Sequence, residues 1–126
     1  MQKKQKLLLV EDEEELVHIV ETYFRDEGYD VHIAMNAEEA LVKLEKFVPD
    51  IIVSDVRMGR MDGFQFLQAL RAIPDRKNIP FIFLTIMDDR QSVERAAKMG
   101  ADGYLTKPFD VEDLHDKIRQ VLAKRN

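Results

Sequence analysis

Five short stretches of mostly apolar residues recur along the chain, and each is followed by a longer segment in which apolar and polar residues mix. Short apolar runs rich in Leu, Ile, Val and Phe predict buried strands. The second stretch alternates apolar with polar side chains, which predicts an outer strand with one less buried face. The predicted strands cover residues 7–10, 29–34, 51–55, 80–85 and 101–106.

The segments between these strands place apolar residues three and four positions apart, which predicts amphipathic helices. The second helix is predicted to run to Phe47. The fourth helix carries Val93, Ala96 and Ala97 and few large apolar residues, so burial should anchor it weakly. Residues that start or stop helices stand at the borders. These are Gly28, the capping-box pair Asn36 and Glu39, Pro49, Pro74, Asp88 with Asp89, Gly100 and Asp110.

Strand and helix therefore alternate five times with short connections. This order predicts a single doubly wound (βα)5 domain of the α/β class, with a parallel five-stranded sheet and helices on both faces. The length of 126 residues and the hydrophobic content of 45% suit one domain with its own core. We expect that domain to span residues 1–126, with a core from about residue 6 to residue 122.

The overall charge narrows the function classes. A formal net charge of -5 and a pI near 5.2 argue against direct binding of nucleic acid or of an anionic membrane by this domain. No apolar run approaches the roughly 20 residues that a membrane helix needs. The basic start of the chain lacks the apolar core of a signal peptide, and there is no cysteine. We therefore expect a cytoplasmic location.

Candidate chemistry gathers where the predicted strands end. In an open parallel sheet these ends share one edge, and ligands bind there. The first strand ends in Glu11 and Asp12, the third in Asp55, the fourth in Thr85, and the fifth in Lys107. Asp55 alone is equally typical of a turn after a strand. Its expected neighbours make a chemical role the better prediction.

Clustered carboxylates repel one another unless a cation lies between them, and oxygen donors of this kind suit Mg²⁺ or Mn²⁺. No histidine stands at these strand ends, which disfavours zinc. With a metal bound, one acid can attack phosphorus while Lys107 neutralises the phosphoryl oxygens. A hydrogen bond from Thr85 to the attached group fits the same chemistry.

Four ordered motifs resemble the signatures of the receiver domain of two-component response regulators, the CheY-like superfamily. They are LLLVEDE at 7–13, DVRMGRMDG at 55–63, FLT at 83–85 and GADGYLTKPF at 100–109. The resemblance covers the chain from about Lys6 to Leu122. It implies a flavodoxin-like strand order 2-1-3-4-5 and a cis bond between Lys107 and Pro108.

The resemblance also implies a function for the site. A histidine kinase or a histidine phosphotransfer protein would pass a phosphoryl group to Asp55, while Thr85 and Lys107 contact its oxygens. The implied ligands of Mg²⁺ are Glu11, Asp12, Asp55 and the backbone carbonyl of Arg57. The domain would then be a signalling switch and not an enzyme, with at most self-phosphorylation and slow autodephosphorylation.

The signal is implied to leave through a rearrangement in which Thr85 moves toward the phosphate and Tyr104 turns inward. The altered surface would comprise the fourth helix, the fifth strand and the fifth helix. A downstream output domain or protein, or a second copy in a phosphorylation-dependent homodimer, would bind there.

Two positions depart from the family pattern. Gly59 stands where the pattern usually has Pro, so we expect a less rigid loop. Ile86 follows Thr85 where a small residue is usual, and its branched side chain is expected to slow phosphorylation, hydrolysis or both. Arg57 and Met87, which flank the site in the family, are expected to affect the lifetime of the phosphoryl group.

Two other function classes stay open at this stage. A pseudo-receiver would keep the fold as a binding module without taking phosphate, and Ile86 is the feature that favours it. An aspartate-nucleophile phosphohydrolase also places an Asp at a strand end beside Mg²⁺. That class usually has a second Asp two residues later, where this chain has Arg57.

Overall fold

The computed structural model describes residues 3–86 and 89–125. Strands and helices alternate in the predicted order. They are β1 (Lys6–Val10), α1 (Glu14–Asp26), β2 (Asp30–Ala34), α2 (Ala37–Leu44), β3 (Ile51–Asp55), α3 (Gly63–Arg71), β4 (Phe81–Thr85), α4 (Arg90–Lys98), β5 (Gly103–Thr106) and α5 (Val111–Arg125). None of the helices in the described part of the chain combines the length and hydropathy needed to cross a membrane.

The five strands form one parallel sheet in the order β2-β1-β3-β4-β5, which confirms the predicted class and strand order. Its register fixes which strand ends are neighbours. Val10 of β1 aligns with Ser54 of β3, so the next residue, Glu11, falls beside Asp55. Thr85 of β4 aligns with Thr106 of β5. We call the side of the sheet at which all five strands end the carboxyl edge.

Alternate residues of the strands enter two hydrophobic layers, because successive side chains in a strand point to opposite faces. Leu8 of β1 joins the layer beneath α2, α3 and α4, together with Phe81 and Phe83 of β4. Leu7 and Leu9 join the layer beneath α1 and α5. The sheet is thus covered on both faces, which explains why its central strands are mostly apolar before their carboxyl ends.

Helix α2 differs from its prediction at both ends. The side chain of Asn36 accepts a hydrogen bond from the Glu39 N–H at 2.8 Å, as expected of an N-cap. The carboxylate of Glu39 accepts instead from the N–H of Met35 at 3.3 Å, so the capping box is incomplete. The helix ends at Leu44, and Phe47 packs against the core from the segment that follows.

Helix α4 buries few apolar residues, as expected, but the predicted apolar face is wrong in part. Its core-facing residues are Ser92 and Ala96, whereas Val93 is 39% exposed. Ala97 is exposed as well. Asp89 caps the helix by accepting from the Ser92 N–H at 2.9 Å, and the predicted partner cap Asp88 lies outside the described residues. Two small inward residues bury little apolar area.

An ion-pair cluster lies at the opposite edge of the sheet, where the strands begin. The Asp102 carboxylate accepts from the Phe81 N–H at 2.9 Å and from Arg125 at 2.8 and 3.0 Å. Arg125 also donates to the carbonyl of Asn78 at 2.8 Å. The cluster fastens the last turn of α5 to the residues that precede β4 and β5.

Candidate functional site

Three carboxylates meet at the carboxyl edge, as the sequence predicts. Glu11 and Asp12 follow β1, Asp55 ends β3, and their carboxylate oxygens lie within 4.8 Å of one another. Glu11 is fully buried, Asp55 is 8% exposed, and Asp12 is exposed to solvent. A compact set of oxygen donors with one open side fits a hard divalent cation that keeps part of its water shell.

The side chain of Lys107 enters the same cluster from the residue after β5. Its Nζ lies 2.7 Å from Glu11 Oε1, 3.5 Å from Asp55 Oδ2 and 4.0 Å from Glu13 Oε2. The Lys107 backbone N–H donates to the Thr85 carbonyl at 2.8 Å, which joins β5 to the end of β4. The bond from Lys107 to Pro108 is cis, as the family resemblance implies.

Burial is the largest single influence on the pKa of each of these groups, and it sets the direction of the shift for the two acids. Burial raises the pKa of Asp55, against the lowering effect of the Lys107 charge. Burial also raises the pKa of Glu11, and the nearby charge of Asp55 adds to that rise while Lys107 opposes it. For Lys107 burial acts to lower the pKa, but the contacts with Glu11 and Asp55 outweigh it and the pKa is raised. The site therefore favours additional positive charge.

The loop after Asp55 is held close to the strand end. The Arg57 N–H lies 3.4 Å from Asp55 Oδ1, and the Gly63 N–H donates to the Val56 carbonyl at 2.6 Å. A Cβ on Gly63 would lie only 2.5 Å from the Asp55 carbonyl oxygen and 2.8 Å from the Val56 Cα. Glycine is therefore required for α3 to begin this close to the phosphoacceptor candidate. The side chain of Arg57 is exposed.

Gly59 in the same loop adopts φ of +36° and has open space around its Cα. Proline holds φ near −65° and cannot adopt this backbone. Gly59 therefore stands where the family pattern usually has Pro, and the loop adopts a backbone conformation that proline does not allow.

Thr85 and Tyr104 occupy the positions that the sequence predicts for them. Thr85 is buried at the end of β4. It directly follows Leu84, the residue of β4 that aligns with Asp55 of β3. Tyr104 is half-buried in β5 and packs against the core beside Phe83, with ring centroids 6.3 Å apart. The two residues lie on neighbouring strands, where Thr85 aligns with Thr106 and Tyr104 aligns with Phe83.

Ile86 stands at the mouth of the site, with 63% of its surface exposed. It borders an open depression of about 340 Å³ whose walls also include Leu16, Lys107 and Phe109. The side chain of Ile86 thus shares this depression with Lys107, whose ammonium group contacts Asp55. Met87, the other predicted access residue on this loop, lies outside the described residues.

Two contacts at the site were not predicted from the sequence. The Glu13 N–H donates to Glu11 Oε2 at 3.1 Å, which orients the buried carboxylate. The Ser54 hydroxyl donates to the Asp55 carbonyl at 2.9 Å. The sequence signal for the first contact is the unbroken acidic run after β1, Glu11 to Glu15.

Comparison with known proteins identifies the same domain type. The family model described as response regulator receiver domain matches residues 7–119. The probable transcriptional regulator ycf29 of Porphyra purpurea is 38% identical over 118 residues, which is 94% of this chain and 56% of that protein. The chain spans about half the length of the relatives that it matches.

Solved structures resemble this one closely. The chemotaxis response regulator CheY4 of Vibrio cholerae superposes with a TM-score of 0.89 at 34% identity, covering 94% of this chain and 99% of that one. The receiver domain of the sensor histidine kinase PA1611 from Pseudomonas aeruginosa PAO1 gives a TM-score of 0.86 at 27% identity, covering 96% and 99%. That structure has a magnesium ion coordinated in its active-site cleft.

Proposed function

This chain belongs to the receiver domain family of response regulators, the signalling domains of two-component systems, and we propose that Asp55 is its phosphoacceptor. The observation that carries the proposal is the geometry around that side chain. Asp55 belongs to a cluster that also contains Glu11, Asp12 and the ammonium group of Lys107. Its side chain is largely buried but still reaches solvent, unlike that of Glu11. A nucleophile and charge neutralisation in fixed positions are what phosphoryl transfer requires.

We further propose that Mg²⁺, or Mn²⁺ in its place, binds Glu11, Asp12, Asp55 and the backbone carbonyl of Arg57. All of these donors are oxygen atoms, which hard cations prefer. The raised pKa values of Glu11 and Asp55 support the proposal, because a divalent cation would offset the buried negative charge. When bound, the ion neutralises charge on the phosphoryl oxygens.

The proposed reaction is phosphoryl transfer from a phosphohistidine of a histidine kinase or a histidine phosphotransfer protein. An Asp55 carboxylate oxygen bonds to phosphorus while the phosphorus–nitrogen bond breaks. The electron pair of that bond returns to the imidazole ring, which takes up a proton from solvent. Lys107 Nζ, already 3.5 Å from Asp55 Oδ2, stabilises the transferred oxygens, and the Thr85 hydroxyl donates to one of them.

The output surface in this proposal is formed by α4, β5 and α5. Movement of Thr85 toward the phosphate and inward rotation of Tyr104 would change this face. Because α4 buries only two small residues, its displacement requires little free energy. The partner would be an output domain or protein, or a second copy of the domain. The relative ycf29 is described as a probable transcriptional regulator, and this chain covers only 56% of it. The rest of that relative is the part in which a transcriptional output domain would lie, which supports an output domain as the partner.

Ile86 is proposed to govern access to Asp55, with Arg57 and Met87 as further determinants of phosphoryl lifetime. Its exposed side chain borders the depression next to Lys107, where a donor imidazole or an attacking water approaches. Self-phosphorylation from small donors and slow autodephosphorylation follow from the same chemistry. A cytoplasmic location and a domain spanning residues 1–126 complete the proposal.

Mass spectrometry of the intact protein tests the proposal. The protein is incubated with Mg²⁺ and acetyl phosphate, and we expect a single phosphoryl adduct. Asp55→Asn should abolish the adduct, while Asp26→Asn, an exposed acid at the end of α1, should leave it unchanged. No adduct with any small or protein donor would mean a pseudo-receiver. Continuous phosphate release from added phosphoesters would mean a phosphohydrolase, a class that the exposed Arg57 disfavours.

A further inference from the structure

A buried histidine lies between α1 and α5, outside the site described above. His115 is only 4% exposed. Its ring meets the rings of Tyr23, Phe24 and Tyr29 edge to face, with centroids 5.5, 5.2 and 5.4 Å away. An imidazole in such a setting is a candidate for a proton-dependent change, because its charge alters within the physiological pH range.

One nitrogen of the ring has three polar neighbours. His115 Nδ1 lies 3.0 Å from the Tyr23 hydroxyl, 3.3 Å from Arg119 Nη2 and 3.6 Å from Glu27 Oε1. A guanidinium nitrogen donates hydrogen bonds and never accepts them. The contact with Arg119 therefore requires a free electron pair on Nδ1, and the neutral ring must carry its proton on Nε2.

We propose that His115 is a proton-operated latch between α1 and α5. In the neutral state the single electron pair of Nδ1 is shared between two donors, the Tyr23 hydroxyl and Arg119 Nη2. Addition of a proton uses the electron pair of Nδ1 and turns this nitrogen into a donor. The ring then repels Arg119 and donates to Glu27, so the latch exchanges a partner on its own helix for one at the end of α1.

Burial lowers the pKa of His115, and the nearby Arg119 lowers it further while Glu27 and Asp116 oppose this. The unfolded chain therefore binds the proton at higher pH than the folded one. The contribution of His115 to stability is complete above about pH 6.5 and declines as the pH falls below that value. The titratable and charged groups facing the cluster from its neighbouring elements are Lys3, Lys4, Tyr23, Glu27, Tyr29, Glu112, Asp116 and Arg119.

An open cavity of about 440 Å³ adjoins the latch. His115, Arg119, Glu27 and Tyr29 contribute to its lining. The cavity gives the ring a route to solvent protons and gives the Arg119 side chain room to withdraw. Arg119 has a second partner for that state, because its Nη1 lies 3.1 Å from Asp116 Oδ1.

Histidine NMR tests the latch directly. Long-range ¹H–¹⁵N spectra of the full chain are recorded from about pH 8 to about pH 5, the range in which imidazoles titrate. We expect the neutral Nε2–H tautomer and a midpoint below the ordinary value of about 6.5. The Arg119 side-chain signal should move with the same midpoint. A neutral Nδ1–H tautomer, or an Arg119 signal that does not follow the ring, would overturn the proposal.

Variants that remove the charge of Arg119 or of Glu27 give a second test, because they should shift the titration midpoint of His115 in opposite directions. Arg119→Gln should raise the midpoint and Glu27→Gln should lower it, each by about half a pH unit, as expected for partly exposed ion pairs. Lys124→Gln, an exposed charge change in the last turn of the same helix, is the matched control and should have little effect. An unchanged midpoint in both partner variants would exclude the latch. Because Asp55→Asn should titrate like the original chain, the result is independent of the phosphoacceptor proposal.

Discussion

Lys107 sets the charge balance beside Asp55, because its ammonium group contacts two buried carboxylates at once. We expect Lys107→Gln to slow phosphorylation of Asp55 by about 100-fold, the typical effect of removing one preorganised donor from a charged transition state. The rate of adduct formation measures this. Lys124→Gln removes the same charge from an exposed position and should react at the original rate. A Lys107 variant with normal kinetics would contradict the assigned role.

Ile86 should limit how quickly molecules reach Asp55. We expect Ile86→Ala to increase the rate of phosphorylation, of hydrolysis or of both by several-fold, because the smaller side chain widens the approach beside Lys107. Val42→Ala is a fitting control, since Val42 is also 63% exposed but lies on α2. Both rates are followed by intact mass after donor addition and removal. If neither rate changes in Ile86→Ala, the access role is wrong.

Gly59 offers a test in which the usual family residue should be harmful. Proline normally stabilises a loop whose backbone it fits, but the φ of +36° at Gly59 excludes it. We expect Gly59→Pro to lower the free energy of unfolding by more than about 1 kcal/mol, measured by urea denaturation. Gly59→Asn, which tolerates positive φ, should cost clearly less. Equal stability of the two variants would show that the loop adapts to proline.

The residues of the site differ in how far the sequence could reveal them. Glu11, Asp12 and Asp55 were predictable together, because parallel strands bring their ends to one edge and the apolar runs show where each strand stops. Gly63 stands in the sequence only as the last residue of the motif DVRMGRMDG. Its requirement for glycine comes from a 2.5 Å approach to the Asp55 carbonyl, which no local pattern encodes.

Helix α4 should be the least stable helix of the described chain, since Ser92 and Ala96 are its buried residues. Arg95 adds a contact with the Phe64 ring at 4.2 Å, but an exposed cation–π pair contributes only about 0.5–1 kcal/mol. We expect the amides of α4 to exchange with deuterium faster than those of α5 under native conditions. Equal protection of the two helices would contradict weak anchoring.

The structure also explains why the apolar face of α4 was predicted imperfectly. The residues Val93, Ala96 and Ala97 are too few to define one helical face, and Ser92, whose N–H donates to the capping Asp89, is buried instead of Val93. Helix α5 shows the contrast, because its large apolar residues repeat over several turns and define one face. Leu114, Ile118 and Val121 are all buried.

Metal binding should stabilise the whole domain. A ligand that binds only the folded chain adds about 2.7 kcal/mol at a concentration 100 times its Kd. We expect the thermal midpoint to rise with Mg²⁺ and to return to its starting value after chelation. Asp12→Asn should largely remove the effect, whereas Glu14→Gln, an acid of the same run in the first turn of α1, should retain it. A thermal midpoint independent of Mg²⁺ would count against the metal site.

Contacts between residues far apart in the sequence were predictable only where the order of strands and helices determines them. The alternation of strands and helices led to the two-layered sheet and to its carboxyl edge. The contact of His115 with Tyr23 joins residues 92 positions apart and depends on how α5 is rotated against α1. Sequence periodicity does not fix that rotation closely enough to identify the partners of one ring.

The ion-pair cluster at Asp102 has a mechanical consequence for β5. This strand has four residues, and its start is tied down by the bonds that Asp102 makes with Phe81 and Arg125. Its far end is attached to β4 through the Lys107 N–H and reaches the acidic cluster through Lys107 Nζ. Between these attachments every residue of β5, Tyr104 included, also pairs with β4. We therefore expect a displacement imposed at Lys107 to shift the carboxyl ends of both strands together, toward α4, the neighbouring helix that buries the fewest large side chains.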